Sequence, residues 1–208
     1  MKSERMIAIV GGIGSGKTFI SKLFEARGIP VFNCDNCAKW IMISEHKVIN
    51  ELVSLFGTDI YIKGELNKEK MGNIIFLDPF KKEYIEELIY PYVFREFFEW
   101  RFEKLYKDNH SFVMMENAVL TKDNSYKLFD HVVLVNAPIK VREERVMARP
   151  GMTEKRMGNI IRQQDSPEQI IEKLYRSQID IYTIFNNEIN NMNEEVNICV
   201  DYFNGCFK

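Results

Sequence analysis

Apolar residues fall into short unbroken runs near the start of the chain and again past its midpoint, with a long helical pattern between them. The run Met6–Val10 has charge before it and glycines after it, which predicts a short buried strand. Ile20, Leu23 and Phe24 then recur at helical spacing, predicting a helix over 17–27 that Gly28 and Pro30 stop. Residues 29–33 read as a second strand. Strand, loop, helix and strand in about thirty residues make a βαβ unit, whose crossover requires parallel strands.

From 36 to 107 the pattern is mostly helical. Ile49, Leu52, Val53 and Phe56 repeat at helix spacing up to Gly57, a turn falls at Lys63-Gly64, and a helix near 68–76 breaks at Asp78-Pro79. An amphipathic stretch over 81–107 carries an aromatic stripe that reads as core rather than as a base-stacking platform, and Pro91 is expected to kink or divide it. Sheet signals return at 112–115, ending in Glu116, and at 131–135, ending in Asn136-Ala137-Pro138. A helix over 139–148 is closed by Arg149-Pro150-Gly151; Thr153 can cap the next, and Asp165-Ser166-Pro167 opens another. The last strand is expected at 179–185, an Asn- and Glu-rich loop at 186–195 and a final helix at 196–203. The pattern predicts an α/β fold over 1–208: one parallel sheet between helical layers, with a helical insertion between its second and third strands.

Composition narrows this picture. The 208 residues are 46% hydrophobic and 28% charged, as in an ordinary globular domain. A net charge of −2 gives no overall basic field, so no nucleic-acid partner is expected. There is no apolar run of about 18 residues, and the apolar stretch at 6–10 is too short for a signal peptide. A cytoplasmic protein, monomeric or a small homo-oligomer, is the expectation. Cys34 and Cys37 form a C-x-x-C pair at a strand–helix junction, readable as a redox pair, half a zinc site or two reduced thiols beside Asp35. With the remaining cysteines far away at 199 and 206, a four-ligand zinc site is disfavoured.

The chemistry lies in GGIGSGKT at 11–18. Gly11-x-x-x-x-Gly16-Lys17-Thr18 is a complete P-loop pattern, set between a buried strand and an amphipathic helix as that motif requires. Its glycines let backbone N–H groups curl into a nest, and the helix N-terminus that follows favours an anion. Gly12, Ile13, Gly14, Ser15, Gly16, Lys17, Thr18 and Phe19 are the candidate ATP-binding residues. Lys17 can follow the β- and γ-phosphates into the transition state, and the Thr18 hydroxyl can meet Mg²⁺. The fold class sharpens to a three-layer αβα P-loop NTPase type. No N/T-K-x-D guanine-reading segment is present, and the chain is short for a motor ATPase, which leaves a small-molecule kinase.

Such a kinase needs an acid near the acceptor and a basic lid. Asp35, just after the second strand, is the candidate base; capping the next helix is its alternative role, and the two are compatible. Arg145 and Arg149, four apart before Pro150-Gly151, are candidates for a lid over about 145–165, or are simply solvated. Glu116 reads either as a carboxylate for magnesium or as a strand-end surface acid.

The stretch IAIVGGIGSGKTFISKLFEARGIPVFNCDNCAKWI resembles the dephospho-coenzyme A kinase family, whose members read TGGIGSGKS and later D-A-D-x-x-A. Asp35 matches that family's catalytic aspartate, whereas Asn33 replaces the earlier one. Phe76-Leu77-Asp78-Pro79, Tyr90-Pro91, Glu116-Asn117-Ala118, Arg145 to Arg149, Gln164 and Asn186 match further family elements in order. The resemblance implies phosphorylation of the ribose 3′-hydroxyl of dephospho-CoA by ATP with Mg²⁺. It implies Asp35, Lys17 and Arg149 as catalytic, Arg145 on the nucleotide, and Asp35, Tyr90, Asn117, Ala118 and Gln164 on the acceptor side. Thr18 and Glu116 would serve the metal, and about 39–107 would be a CoA-binding insertion. Tyr90, Thr121 and Lys122 depart from the family's usual His, Phe and Glu. Another small-acceptor kinase, or a module that binds ATP without turnover, are the competing readings.

Overall fold

Strand β1 (Met6–Val10) is buried along its whole length, because both its neighbours and both faces of its sheet are occupied. The computed structural model describes residues 4–117, 125–187 and 191–207. After β1 come α1 (Lys17–Glu25), β2 (Val31–Asn33), β5 (Val113–Glu116), β6 (His131–Asn136), α6 (Ile139–Met147), α7 (Glu154–Gln163), α8 (Pro167–Arg176), β7 (Asp180–Phe185) and α9 (Met192–Cys206). The five strands form one sheet in the order β2-β5-β1-β6-β7. β1 pairs in parallel with β5 (Ile7 opposite Met114) and with β6 (Ile7 opposite His131), and β6 with β7. β1 and β2 are thus two places apart, with β5 between them. The buried run VMME of β5 takes the inner place beside β1, and the half-buried VFN of β2 takes the edge.

One face of this sheet carries Ile7, Ile9, Met114, Val133, Val135 and Ile184, covered by Ile20 and Phe24 of α1 and by Val196, Cys199 and Phe203 of α9. Each such side chain is worth about 1.5–3 kcal/mol of burial. α9 starts at Met192, four residues before the expected 196, because Asn191 caps it by accepting from Asn193 N–H at 3.2 Å. Glu194 and Glu195 in its first turn also suit the positive helix end. The Asn and Glu content that suggested a loop is that of a helix start.

Two compact units divide the chain, Met1–Phe32 with Phe102–Lys208, and Asn33–Arg101. The second contains α2 (Cys34–Ser44), α3 (His46–Phe56), the short antiparallel pair β3 (Tyr61–Ile62) and β4 (Glu65–Leu66), and α4 (Lys68–Leu77). Lys63 and Gly64 join β3 to β4 with φ of 52° and 83°, the left-handed values of a two-residue hairpin turn. α5 (Pro79–Phe102) passes unbroken through Pro91, so the expected division does not occur. Pro91 and Glu87, whose carbonyl loses its partner, both face water there.

Burial pushes the Cys37 thiol up from 9.0 to about 11, with Glu96 adding to the effect and Arg95 opposing it. This disfavours a reactive thiolate. Alkylation of Cys37 by iodoacetamide is expected to be far slower at pH 8 than that of exposed Cys206, and still to rise tenfold per pH unit near pH 10. Peptide mapping would read both rates; equal labelling at pH 8 would restore the redox reading. Among the described residues no group of three or more His, Cys, Asp and Glu is placed to hold a metal, and no helix is long and apolar enough to cross a membrane.

Candidate active site

The loop between β1 and α1 feeds α1 without a capping side chain: Gly16 stands at the cap with φ 92°, and no acid occupies the first turn. No side-chain cap or acid therefore competes at the positive end of α1, which suits phosphate. Gly16 is required twice over. Its φ is left-handed, and a Cβ there would collide with Asn186 Nδ2. Lys17 Nζ arches back to donate to the carbonyls of Gly11 (2.6 Å) and Gly12 (3.4 Å), keeping its charge at the loop's mouth.

Thr18, the first exposed residue of α1, donates its hydroxyl to Glu116 Oε1 at 2.7 Å, across 98 residues of sequence. Glu116 is 7% exposed at the carboxyl end of β5, so it is not a strand-end surface acid. The two groups nominated for magnesium thus meet. Asn117, also buried, extends the ladder by donating its N–H to the Ile9 carbonyl at 3.1 Å. Ala118 lies outside the described residues, as do Thr121 and Lys122. Phe19, half-exposed on α1, follows the loop directly.

Around the loop stand side chains from α6, α7 and the end of β7. Arg145 Nη1 lies 3.5 Å from the Gly14 carbonyl and 3.4 Å from that of Asn186. Gln164, the C-cap of α7, accepts from Ile13 N–H at 2.7 Å, so it attaches to the phosphate loop itself. Arg149 is exposed two residues beyond the end of α6, so the helical spacing expected to align it with Arg145 does not reach it. The helix stops at Met147 because Pro150 and Gly151 cannot continue it.

Two residues had no role assigned from sequence: Asn186, matched only as a family element, and Arg142, not singled out at all. Asn186 donates Nδ2 to the Ser15 carbonyl at 2.8 Å, and its own N–H to Asn136 at 2.7 Å, tying β7 to the loop. Arg142 is 8% exposed and donates Nε to the Ile13 carbonyl at 3.0 Å. Burial pushes its guanidinium below the ordinary value, against the opposing pull of Glu143 and Glu168. The i,i+3 spacing of Arg142 and Arg145 on one helix face was the available signal for Arg142. Arg142 and Gln164 also line a cleft of about 590 Å³ with residues 136–139 and 165–169.

Asp35 and Tyr90 belong to the second unit. Asn33, not Asp35, caps α2, accepting from Asn36 N–H at 2.8 Å. Asp35 lies exposed in the first turn just past the carboxyl end of β2, and among the described residues its carboxylate makes no hydrogen bond. Tyr90 is half-buried on α5.

Comparison with known proteins identifies the lineage of this arrangement. The family model described as dephospho-CoA kinase matches residues 5–188. The dephospho-CoA kinase of Porphyromonas gingivalis is 36% identical over 151 residues, 73% of each chain. That of Bacteroides fragilis is 31% identical over 167 residues, 80% of each. In fold, the chain is similar to the dephospho-CoA kinase from Campylobacter jejuni (TM-score 0.65, 18% identity, covering 97% of this chain and 98% of that one). It is also similar to a solved Thermus thermophilus protein, with a TM-score of 0.75, 24% identity and 100% coverage of both chains. With the family model matching from residue 5 to residue 188 and relatives above 30% identity, the chain belongs to the dephospho-CoA kinase family.

Proposed function

We propose that the loop at 11–18 holds the β- and γ-phosphates of ATP while Asp35 orients and deprotonates the ribose 3′-hydroxyl of dephospho-CoA. The 3′-oxygen forms a bond to the γ-phosphorus as the bond to the β–γ bridging oxygen breaks. That electron pair leaves with ADP, the hydroxyl proton passes to Asp35, and coenzyme A is the second product. The observation that carries the reading is the hydrogen bond of Thr18 to buried Glu116 beside a fully formed phosphate loop.

An all-oxygen pair of a hydroxyl and a carboxylate fits Mg²⁺, which prefers such donors. Bound there, magnesium would neutralise charge on the β- and γ-phosphates. Lys17 supplies charge that follows the transferring group, and Arg145 borders the nucleotide. Arg149, exposed at the end of α6, supplies a cation to the transition state. Asn117 and Tyr90 are proposed on the acceptor side, with Asn33–Arg101 as the unit that receives the CoA body. Gln164 is proposed on the acceptor side as well, and its bond to Ile13 supports a place beside the phosphate loop. Both substrates are water-soluble, which fits a cytoplasmic enzyme acting as a monomer or small homo-oligomer.

A coupled assay for ADP tests the reading. Turnover is expected with ATP, Mg²⁺ and dephospho-CoA, and little with nucleoside monophosphates. ADP release with a monophosphate but none with dephospho-CoA would transfer the assignment to another acceptor.

A further inference from the structure

Both peptide groups of Ile13 in the phosphate loop are held by side chains. Its N–H donates to Gln164 Oε1 at 2.7 Å, and its carbonyl accepts from Arg142 Nε at 3.0 Å. The two side chains come from different elements, Arg142 from the middle of α6 and Gln164 from the cap of α7. Arg142 also explains the second glycine of GGIGSGKT. Gly12 has no left-handed φ, yet a Cβ on it would collide with Arg142 Nη2. The guanidinium therefore lies close against Gly12, where a side chain larger than hydrogen leaves it no room.

Such a placement is costly for the folded state. Arg142 is more than nine-tenths buried, and no carboxylate lies within ion-pairing distance of it among the described residues. Burying a charge without a paired partner opposes folding. Its compensation is the charge-assisted bond to the Ile13 carbonyl. A core position that served packing alone would be better filled by an apolar side chain of similar size.

We propose that Arg142 and Gln164 are positioning residues that clamp the Ile13 peptide and thereby set the curl of the phosphate loop for nucleotide. They tie that curl to both helices flanking the 148–153 connection, so a displacement of either helix is transmitted to the phosphates. The proposal rests on the nucleotide reading of the loop. Its physical basis is that misplacing catalytic groups by about 1 Å costs on the order of a hundredfold in rate.

The test uses the full chain and four variants. Arg142→Met keeps the length and removes the donor; Gln164→Leu removes the acceptor, and Gln164→Glu keeps it. Gly12→Ala pushes the guanidinium away. Titration calorimetry with Mg·ADP gives affinity without requiring an acceptor, and thermal unfolding gives Tm. Arg142→Met and Gln164→Leu are each expected to weaken ADP binding about tenfold or more. Tm should stay equal or rise in Arg142→Met, and Gln164→Glu should retain most of the parental affinity. Gly12→Ala should weaken binding in the parent yet add little in the Arg142→Met background, because the two changes break the same contact.

Parental ADP affinity in folded Arg142→Met or Gln164→Leu overturns the clamp. So does a loss of affinity that tracks a fall in Tm, which would mark a packing role. Should Arg142→Met not fold, that packing role is established and the clamp is rejected for Arg142. A parent chain that fails to bind Mg·ADP would instead sink the nucleotide reading itself.

Discussion

Replacing Arg149 with alanine is expected to lower kcat by about 10³–10⁵, equivalent to about 4–7 kcal/mol of transition-state stabilisation, with little change in Tm. The three arginines of this segment have different surroundings. Arg142 is buried against Ile13, and Arg145 lies on the carbonyls of Gly14 and Asn186. Arg149 is exposed beyond the end of α6, so truncating it removes no packing. A cation that meets the γ-phosphoryl group only as charge spreads over its oxygens strengthens binding of the transition state more than of ATP, so kcat falls and the KM for ATP moves little. Arg149→Lys restores charge without the planar fork and is expected to recover only part of the rate. Steady-state assays across saturating ATP would measure both constants. A fall in kcat below tenfold would place the transition-state cation elsewhere, with Lys17 the next candidate.

Asp35→Asn, nearly isosteric, is expected to lower kcat by about 10²–10⁴ while ADP affinity stays at the parental value. The helix that carries Asp35 does not depend on it. Asn33 caps α2, and the loss of a negative charge from the first turn costs only about 0.3–1 kcal/mol. A large rate effect with a small Tm effect thus separates a chemical role from a helix-start role. Phosphoryl transfer proceeds through a loose transition state, in which orienting the acceptor hydroxyl counts for as much as removing its proton. Asparagine can still hydrogen-bond that hydroxyl, so Asp35→Ala should be slower again. Undiminished turnover in both variants would show that another group orients the acceptor.

Much of the fold was legible because its signals are local. β1, the helix after the glycines, the Gly28 stop and the Ser166-Pro167 start depend on residues within a few positions of each other, and all appear where expected. The failures have a common cause. Pro91 was expected to kink or divide its helix, and the division does not occur, because the carbonyl that a proline frees at an exposed position can turn to water. The 186–195 segment was read as loop from its Asn and Glu content, which serves equally to begin a helix at Met192. Asp35 was weighed as a cap, although Asn33 holds the cap position. Gln164 was placed on the acceptor side by resemblance, and its bond to Ile13 is a contact that no local pattern announces.

The phosphate loop follows from neighbouring residues alone. Its glycine conformations, its lysine and its place between an apolar strand and a helix are all requirements of a dozen consecutive residues. What surrounds that loop depends on how distant segments pack. β5 enters between β1 and β2 and brings Glu116 to Thr18 across 98 residues. The packing of α6, α7 and β7 turns Arg142, Gln164 and Asn186 onto Ile13, Ser15 and Gly16. Hydrophobic periodicity states which face of an element is buried, but not which element it meets. Strand order and helix packing settle that, and with it the second glycine of GGIGSGKT, whose missing side chain leaves the space that Arg142 fills.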